Sequence, residues 1–335
     1  MMAERGSRTR VIAFSGGVGG AKLADGLARI LPPQELTIVT NVGDDFEHLG
    51  LAICPDTDTV MYTLAGLADP ERGWGRRDET WQVMDALAAL GGETWFRLGD
   101  RDLALHLERT RRLAAGETLS EITAAICRRL GVSQRIVPAT DAPLRTRVAT
   151  DEGDLALQDY LVRRRCAPRV TGFRYQGAET GSPAPGLLEA LAAPDLRAVV
   201  FCPSNPFISL DPILAVPGLR AALEKRAAPL IAVSPIVGGR AIKGPLAKML
   251  HELGIAPGPL AIAAHYRDLL DGLILDRADD RDRAAVEAMG LAALSESTVM
   301  HDDADRIALA ETTLALADRL RAALSRPVGS DGKAV

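Results

Sequence analysis

Hydrophobic and polar positions near the start of the chain change from one pattern to another over a short distance. Residues 11–14 form an apolar run, VIAF, and the sequence SGGVGG follows at residues 15–20. Apolar residues then recur at helical spacing, at Leu23, Leu27 and Ile30. This order predicts a β-strand, a tight glycine-rich turn and an amphipathic α-helix.

The glycine-rich turn is a candidate phosphate site, because the first N–H groups of a helix have no partner within the helix and point out of its end. It departs from both familiar fingerprints: Lys22 replaces the third glycine of the dinucleotide motif, and Leu23 replaces the Ser or Thr of a P-loop,. The alternative is a turn whose glycines only allow close packing. We predict that the phosphate-binding residues are Ser15, Gly16, Gly17, Gly19, Gly20 and Lys22.

Strand and helix patterns continue to alternate, which predicts an α/β fold with a mainly parallel sheet. Short apolar or β-branched runs predict further strands at residues 36–40, 198–201, 230–233 and 272–276,. The first predicted strand, the helix after it and the strand at residues 36–40 form a short β–α–β unit. Such a unit implies parallel strands with a right-handed crossover. A helix is predicted from Lys243, and helical patterns flank the last strand.

Residues 69–194 interrupt the alternation with a mainly helical pattern. Apolar residues at three- and four-residue spacing predict helices over residues 81–90, 103–113 and 119–130,. Short strands of an irregular or antiparallel patch, separate from the parallel sheet, are predicted at 136–138 and 144–148. The predicted domain organisation is therefore a core of residues 11–68 and 195–325 with an inserted segment of residues 69–194.

Acidic side chains follow the second predicted strand and open the next helix. In open α/β sheets ligands bind outside the carboxyl ends of the strands, so these acids face the glycine-rich turn. Mg²⁺ prefers oxygen ligands and phosphate partners. The alternative is helix capping and turn chemistry. The candidate metal ligands are Asp44, Asp45, Asp56 and Asp58.

The amino-acid composition argues against several classes of function. The content of 47% hydrophobic and 25% charged residues is typical of a globular protein, and the net charge of −5 argues against nucleic-acid binding,. The four cysteines have no C-x-x-C spacing, so neither a disulfide framework nor a zinc site is predicted,. Residues 1–10 are polar and basic without a following apolar segment long enough for a signal peptide, so we expect a cytoplasmic location and no membrane partner,.

Six motifs in order give the chain a resemblance to a known family. They are SGGVGG at residues 15–20, NVGDD at 41–45, PDTDT at 55–59, LGDRD at 98–102, PSNP at 203–206 and SPIVG at 234–238. Together they resemble the 2-phospho-L-lactate transferase family of deazaflavin coenzyme F-420 biosynthesis. The resemblance implies a Rossmann-like three-layer core with an inserted, mainly helical segment, in a homodimer.

The resemblance also implies a reaction. The ribityl hydroxyl of the deazaflavin Fo attacks the phosphorus that bears a three-carbon acid in a guanosine diphosphate derivative, and GMP leaves, with Mg²⁺ required. The acid is lactate, enolpyruvate or glycerate.

Residue roles follow from the same resemblance. Asp58 and Arg97 would contact Fo, and Asp45 would lie near the metal or the attacking hydroxyl, which makes Asp45 and Asp58 the candidate catalytic residues. Ser204, Asn205 and Ser234 would face the guanosine half. Replacing Asp58 by asparagine is expected to abolish transfer and leave the fold intact.

Two other functions remain open from the sequence. A related family of regulatory proteins binds nucleotide sugars on the same glycine-rich core, but has a different loop where residues 46–48 read FEH here. An NAD(P)-dependent oxidoreductase would need an acid such as Asp44 to bind the ribose, and the missing third glycine argues against it.

Overall fold

Fourteen strands and twelve α-helices are formed within residues 10–324, which a computed structural model of the protein describes. The strands are β1 (Arg10–Ser15), β2 (Leu36–Thr40), β3 (Phe46–His48), β4 (Leu51–Ile53), β5 (Arg135–Pro138), β6 (Arg145–Thr150), β7 (Gly153–Ala156), β8 (Val170–Gln176), β9 (Leu196–Phe201), β10 (Leu230–Val233), β11 (Ile236–Val237), β12 (Arg240–Ala241), β13 (Gly272–Asp276) and β14 (Ala292–Glu296). The helices are α1 (Gly17–Ile30), α2 (Pro55–Leu64), α3 (Gln82–Ala89), α4 (Asp100–Ala114), α5 (Leu119–Arg129), α6 (Leu187–Leu191), α7 (Asp211–Leu214), α8 (Leu219–Lys225), α9 (Leu246–Glu252), α10 (Pro259–His265), α11 (Arg283–Ala288) and α12 (Asp303–Leu324).

A seven-stranded sheet lies at the centre, with the strand order β14-β13-β10-β9-β1-β2-β5. Every pair of neighbouring strands in it runs parallel. The chain reverses its direction across the sheet between β1 and β9, so the segments that follow these two strands separate and leave a crevice. This is the topological switch point at which open α/β sheets bind ligands.

Helices cover both faces of this sheet, which explains why its central strands are apolar almost throughout. Val11 and Ala13 of β1 belong to the buried cluster that α1, α2 and α12 complete on one face. Ile12 and Phe14 belong to the cluster on the opposite face. The α/β class with a mainly parallel, Rossmann-like sheet is therefore confirmed.

Most predicted elements are confirmed, three of the strands with unchanged bounds: β2, β10 and β13. The helices predicted over residues 81–90, 103–113 and 119–130 are α3, α4 and α5. The helix predicted from Lys243 begins at Leu246 instead. The residues before it form a turn in which Gly244 has a φ of +76°, a conformation that does not continue a right-handed helix.

The edges of the central sheet were predicted incorrectly. Residues 136–138 were expected outside the parallel sheet, yet they belong to β5, which pairs parallel with β2. The strand β14 was not predicted, because its five residues are all half-buried and carry no clear apolar pattern. The expected antiparallel patch does form, from β7, β6 and β8.

The inserted segment contributes to more than one part of the molecule. It supplies α3, α4 and α5 and the antiparallel sheet, and it also supplies the edge strand β5 to the central sheet. The expected absence of a signal peptide concerns residues 1–9, which lie outside the described part of the chain, as does residue 325 at the end of the predicted core.

No single helix within residues 10–324 is long and apolar enough to cross a membrane. One bent pair, Pro206–Leu214 with Leu219–Lys225, reaches the required length and composition together. Its apolar residues, among them Leu210 and Leu219, are buried in the core cluster.

The packing of α1 against α12 depends on a glycine, and we expect Gly26→Ala to destabilise the fold by about 3 kcal/mol. A Cβ added at Gly26 would lie 2.1 Å from the carbonyl oxygen of Arg306, a backbone atom that cannot rotate away. Urea denaturation measures the change. The control is Gly172→Ala, where an added Cβ meets no atom within 4 Å. Equal stability of the two variants would contradict this prediction.

Candidate active site

A cavity of about 590 Å³ opens at the switch point, and we call it the central cavity. Three chain segments that follow β1, β9 and β10 line it, together with the start of α9 and the segment before α12. Two of the aspartates predicted to bind metal also face it, Asp44 and Asp56. The segments predicted from motif order therefore do meet at one edge of the sheet.

The glycine-rich turn allows two other segments to approach the start of α1. A Cβ added at Gly16 would lie 2.5 Å from the Cβ of Ser209 and 2.6 Å from Asp56 Oδ2. A Cβ added at Gly19 would lie 2.6 Å from the carbonyl oxygen of Pro203. Larger residues at these two positions would push both segments away from the start of α1.

The first N–H groups at the start of α1 already have partners in the protein. The Gly16 N–H donates to Ser204 Oγ at 3.1 Å, and the Gly17 N–H donates to Asp56 Oδ1 at 2.5 Å. The helix start is thus less open to an anion than the sequence suggested. An Asp56 carboxylate at this position is stabilised by the helix dipole.

The predicted phosphate-binding residues divide into two groups. Gly16, Gly17, Gly19 and Lys22 line the central cavity, whereas Ser15 and Gly20 do not. Ser15 is fully buried, and a Cβ added at Gly20 would lie 2.7 Å from its Oγ. Ser15 and Gly20 therefore lie where they support the packing of α1.

The three residues predicted to face a guanosine all line the central cavity: Ser204, Asn205 and Ser234. Their polar atoms also make local hydrogen bonds. Asn205 Oδ1 accepts from the Phe207 N–H at 3.0 Å, and Ser234 Oγ donates to the Ile236 carbonyl at 3.0 Å. These bonds hold the two segments in shape beside the cavity.

Asp44 and Asp56 form a buried carboxylate pair joined by neutral donors. The Asn41 side-chain amide donates to Asp56 Oδ2 at 2.9 Å and to Asp44 Oδ1 at 3.3 Å. The Asp56 N–H donates to Asp44 Oδ2 at 3.1 Å. Burial raises the pKa of Asp44 well above its usual range, and the negative charges of Asp56 and Asp45 raise it further. Burial raises the pKa of Asp56 to about 6.

Asp58 belongs to a different network, in which it pairs with Arg109. Arg109 Nη1 lies 3.0 Å from Asp58 Oδ2, and its Nη2 contacts Asp58 Oδ1. Both side chains are buried, and His106 lies beside them. Although burial alone would lower the pKa of Arg109, the charge of Asp58 raises it. Burial in turn raises the pKa of Asp58, against the lowering effect of the Arg109 charge. The two-point contact identifies the two groups as an ion pair.

A second cavity of about 500 Å³, which we call the aromatic cavity, adjoins the central cavity. Trp74 and Leu161 line both. Asp58 and Arg97 line the aromatic cavity, as expected for residues that face one substrate, and Arg97 also lies 4.2 Å above the Trp81 ring. The rings that line the aromatic cavity belong to Tyr62, Trp74, Trp95, Phe96 and His106.

Asp45 faces neither of these two cavities. It lines a third, of about 510 Å³, which also borders Asp44 and Trp95 and which we call the acidic cavity. Burial raises the pKa of Asp45 to about 7, and its Oδ1 has no hydrogen-bond partner among the described residues. The two candidate catalytic aspartates, Asp45 and Asp58, therefore line different cavities.

The four aspartates do not form one metal-binding group. Within residues 10–324, no three His, Cys, Asp or Glu side chains are arranged to hold a metal ion. Asp58 is taken up by Arg109, and Asp45 faces the acidic cavity. The pair of Asp44 and Asp56 remains at the central cavity.

Three residues of the aromatic cavity and its wall were not predicted from the sequence: Arg109, His106 and Trp74. Arg109 and His106 lie one turn apart on α4, on the same side as the buried Leu105. The sequence did contain a signal for Arg109: its spacing places a charged residue on the apolar face of a predicted helix. Trp74 had no such signal, because it lies in an irregular loop before α3.

Comparisons with known proteins agree on one family. A family model described as 2-phospho-L-lactate transferase CofD matches residues 11–318. The phosphoenolpyruvate transferase of Kitasatospora aureofaciens is 43% identical over 319 residues, which cover 93% of this chain and 99% of the relative. The phosphoenolpyruvate transferase of Streptomyces griseus is 41% identical, with 93% and 100% covered.

A solved structure is similar in fold. The crystal structure of a UPF0052 family protein from Bacillus halodurans has a TM-score of 0.59 and 15% identity, and the match covers 91% of this chain and 98% of that chain. At this identity the likeness shows the fold alone. The comparisons give no support to a non-enzymatic, nucleotide-sugar-binding regulator.

Proposed function

The chain belongs to the 2-phospho-L-lactate transferase CofD family, and we propose that it transfers a phosphoenolpyruvate group to Fo. The donor is the guanosine diphosphate derivative of that acid, the acceptor is the terminal ribityl hydroxyl of Fo, and GMP is released. Enolpyruvate is chosen over lactate and glycerate because the curated relatives are named phosphoenolpyruvate transferases.

The observation that carries this proposal is the contact between the central and aromatic cavities. They share Trp74 and Leu161, so a nucleotide in one and a flat ring system in the other would have their reactive ends close together. Transfer between two bound substrates depends mainly on such positioning.

The central cavity suits the guanosine diphosphate half of the donor. Its wall contains the ammonium group of Lys22, which favours phosphate oxygens, and the start of α1, where the helix dipole favours negative charge although the Gly16 and Gly17 N–H groups have partners,. Hydroxyl and amide side chains for base and ribose come from Ser204, Asn205 and Ser234.

The aromatic cavity suits the deazaflavin ring of Fo. Trp74, Trp95 and Phe96 offer ring faces and edges for stacking,. Arg97 and the Asp58 carboxylate supply polar contacts at its wall. Of the two catalytic candidates, Asp58 is the one placed on the acceptor side, and we assign it the orientation of the attacking hydroxyl.

Asp44 and Asp56 are the residues that fit a Mg²⁺ ion. Their carboxylates are buried, receive hydrogen bonds from neutral donors, and make no ion pair within the described residues. Burial raises the pKa of both groups, and a divalent cation beside them would favour their charged forms. Mg²⁺ is commonly held by one or two carboxylates plus substrate phosphates. When bound, it supplies neutralisation of charge on the phosphate oxygens.

In the proposed reaction the hydroxyl oxygen of Fo forms a bond to the phosphorus that carries the acid. The bond between that phosphorus and the bridging oxygen breaks, and GMP leaves with this oxygen. The hydroxyl proton passes to a carboxylate, for which Asp58 faces the acceptor and Asp45 is the alternative. The homodimer, which the family resemblance implies, belongs to the same proposal, and so does the cytoplasmic location.

Reconstitution tests the proposed function. The protein is incubated with Fo, Mg²⁺ and the donor derived from enolpyruvate, lactate or glycerate, and GMP release and product mass are measured. We expect the highest kcat/KM with the enolpyruvate donor and loss of activity when EDTA removes Mg²⁺. Absence of product with all three donors would refute the transferase assignment, and activity unaffected by EDTA would refute the Mg²⁺ requirement.

A further inference from the structure

The proposed reaction requires a third binding region, and this inference rests on that proposed function. In an in-line displacement the attacking and leaving oxygens lie on opposite sides of the phosphorus. The aromatic cavity holds Fo, which carries the attacking oxygen, and the central cavity holds the GMP that leaves. The three-carbon acid is attached to the same phosphorus off that line, so it must project sideways into a region that borders both cavities.

Two further cavities border both. One is the acidic cavity, which meets the central cavity at Asp44 and the aromatic cavity at Trp95. The other, of about 300 Å³, meets the central cavity at Lys22 and Lys243 and both cavities at Trp74. We call it the basic cavity.

The acidic cavity and the basic cavity differ in the charge of the residues that line them. The transferred group carries a carboxylate, which needs positive charge where it is partly removed from water. The acidic cavity is lined by three arginines and five carboxylates: Arg145, Arg147, Arg163, Asp44, Asp45, Glu47, Asp154 and Asp159. The basic cavity is lined by five cations and two carboxylates: Lys22, Arg29, Arg77, Lys243, Arg306, Asp69 and Asp303.

Two lysines of the basic cavity have no carboxylate within ion-pair distance among the described residues. The Lys22 ammonium donates to the Met300 carbonyl at 2.6 Å, and the Lys243 ammonium donates to the Arg72 carbonyl at 3.4 Å. Burial lowers the pKa of Lys22, and the positive charges of Arg306 and Lys243 lower it further. An anion between these groups would relieve that repulsion.

The three arginines of the basic cavity all have carboxylate partners, and that of Arg77 is Asp78 at 4.0 Å. Arg29 Nε pairs with Asp25 at 2.7 Å, and Arg306 Nη1 pairs with Asp25 at 2.9 Å. Both also pair with Asp303. The two lysines are therefore the donors that a ligand can recruit without breaking an ion pair.

We propose that the basic cavity binds the carboxylate of the transferred three-carbon acid, with Lys22 and Lys243 as its hydrogen-bond donors. Both lysines also border the central cavity, but Lys22 is already assigned to the phosphates, so the test is placed on Lys243. Its ammonium lies against Gly73, where an added Cβ would be 1.9 Å from Nζ. The loop around Trp74 thus holds Lys243 at the junction of the cavities.

Lys243→Gln tests this assignment, because it removes the charge and keeps a polar side chain. A charge-assisted hydrogen bond contributes about tenfold to hundredfold in affinity. We expect KM for the enolpyruvate donor to rise by about that factor at saturating Fo. The Kd for GDP, which lacks the acid, and the Kd for Fo should change less than about threefold. Lys243→Arg should recover most of the donor affinity.

The matched control is Arg147→Gln, which removes one cation from the acidic cavity. It should leave the donor KM unchanged. A rise in donor KM with Arg147→Gln and none with Lys243→Gln would place the carboxylate in the acidic cavity and overturn the inference. Parallel increases in donor KM and GDP Kd with Lys243→Gln would also overturn it. A wild-type protein that binds GDP and Fo but transfers nothing would instead refute the proposed function, and this inference with it.

Discussion

Asp58→Asn is expected to destabilise the protein by about 3–5 kcal/mol in addition to abolishing transfer. The substitution removes the charged partner of Arg109, whose side chain is fully buried. Its remaining acceptors in the described chain are the Ala52 carbonyl at 3.2 Å and His106 Nδ1 at 3.2 Å, and neither carries the needed negative charge. Breaking a buried ion pair from one side leaves an uncompensated charge in the interior. The sequence-based expectation of an intact fold is therefore revised.

A double variant separates the structural role of Asp58 from its role in the reaction. Arg109→Met with Asp58→Asn removes both charges, and replacing both partners of a buried pair is often close to neutral for stability. We expect urea denaturation to show that the double variant recovers most of the lost free energy of unfolding. Transfer should remain absent because Asp58, the carboxylate that we assign to the attacking hydroxyl, is missing; Asp102 stays at the cavity wall but has no role in the proposed reaction. Recovery of transfer by the double variant would remove Asp58 from the catalytic residues.

Asp56→Asn is expected to lower kcat/KM about a thousandfold while preserving the fold. Asparagine keeps an oxygen that can accept from the Gly17 N–H, so the contact with α1 survives. It removes one of the two carboxylates that we assign to Mg²⁺, whose charge neutralisation is worth several kcal/mol at the transition state. The half-saturating Mg²⁺ concentration should rise, and GDP binding should lose its dependence on Mg²⁺.

The control for Asp56→Asn is Asp318→Asn, which removes an aspartate paired with Arg197 on the surface at α12. It should retain wild-type kcat/KM and the wild-type Mg²⁺ response. An Asp56→Asn protein with unchanged kcat/KM and Mg²⁺ half-saturation would show that the pair of Asp44 and Asp56 does not hold the metal.

Much of the core could be predicted because it depends on local pattern. The strands β2, β10 and β13 are apolar runs between turn residues, and buried parallel strands have this composition whatever surrounds them,. The helices α4 and α5 carry apolar residues at a spacing set by the helix itself. At the sheet edges the pattern is weaker, so β14 was missed and β5 was placed outside the sheet.

The candidate site could be predicted only as a set of segments. Parallel strands bring their carboxyl ends to one edge, so the motifs after β1, β2, β9 and β10 had to meet there,. The order of the motifs also gave a resemblance to a transferase family, and that family is confirmed. The sequence by itself thus determined the fold class, the position of the site and the family.

Only the tertiary structure decided which groups act together. Spacing suggested four equivalent aspartates, but Asp58 pairs with Arg109, 51 residues away, whereas Asn41 joins Asp44 and Asp56. The basic cavity likewise joins Lys22 to Lys243 from distant parts of the chain. Electrostatic interactions depend on distance in space and on burial, and neither quantity can be obtained from positions along the chain.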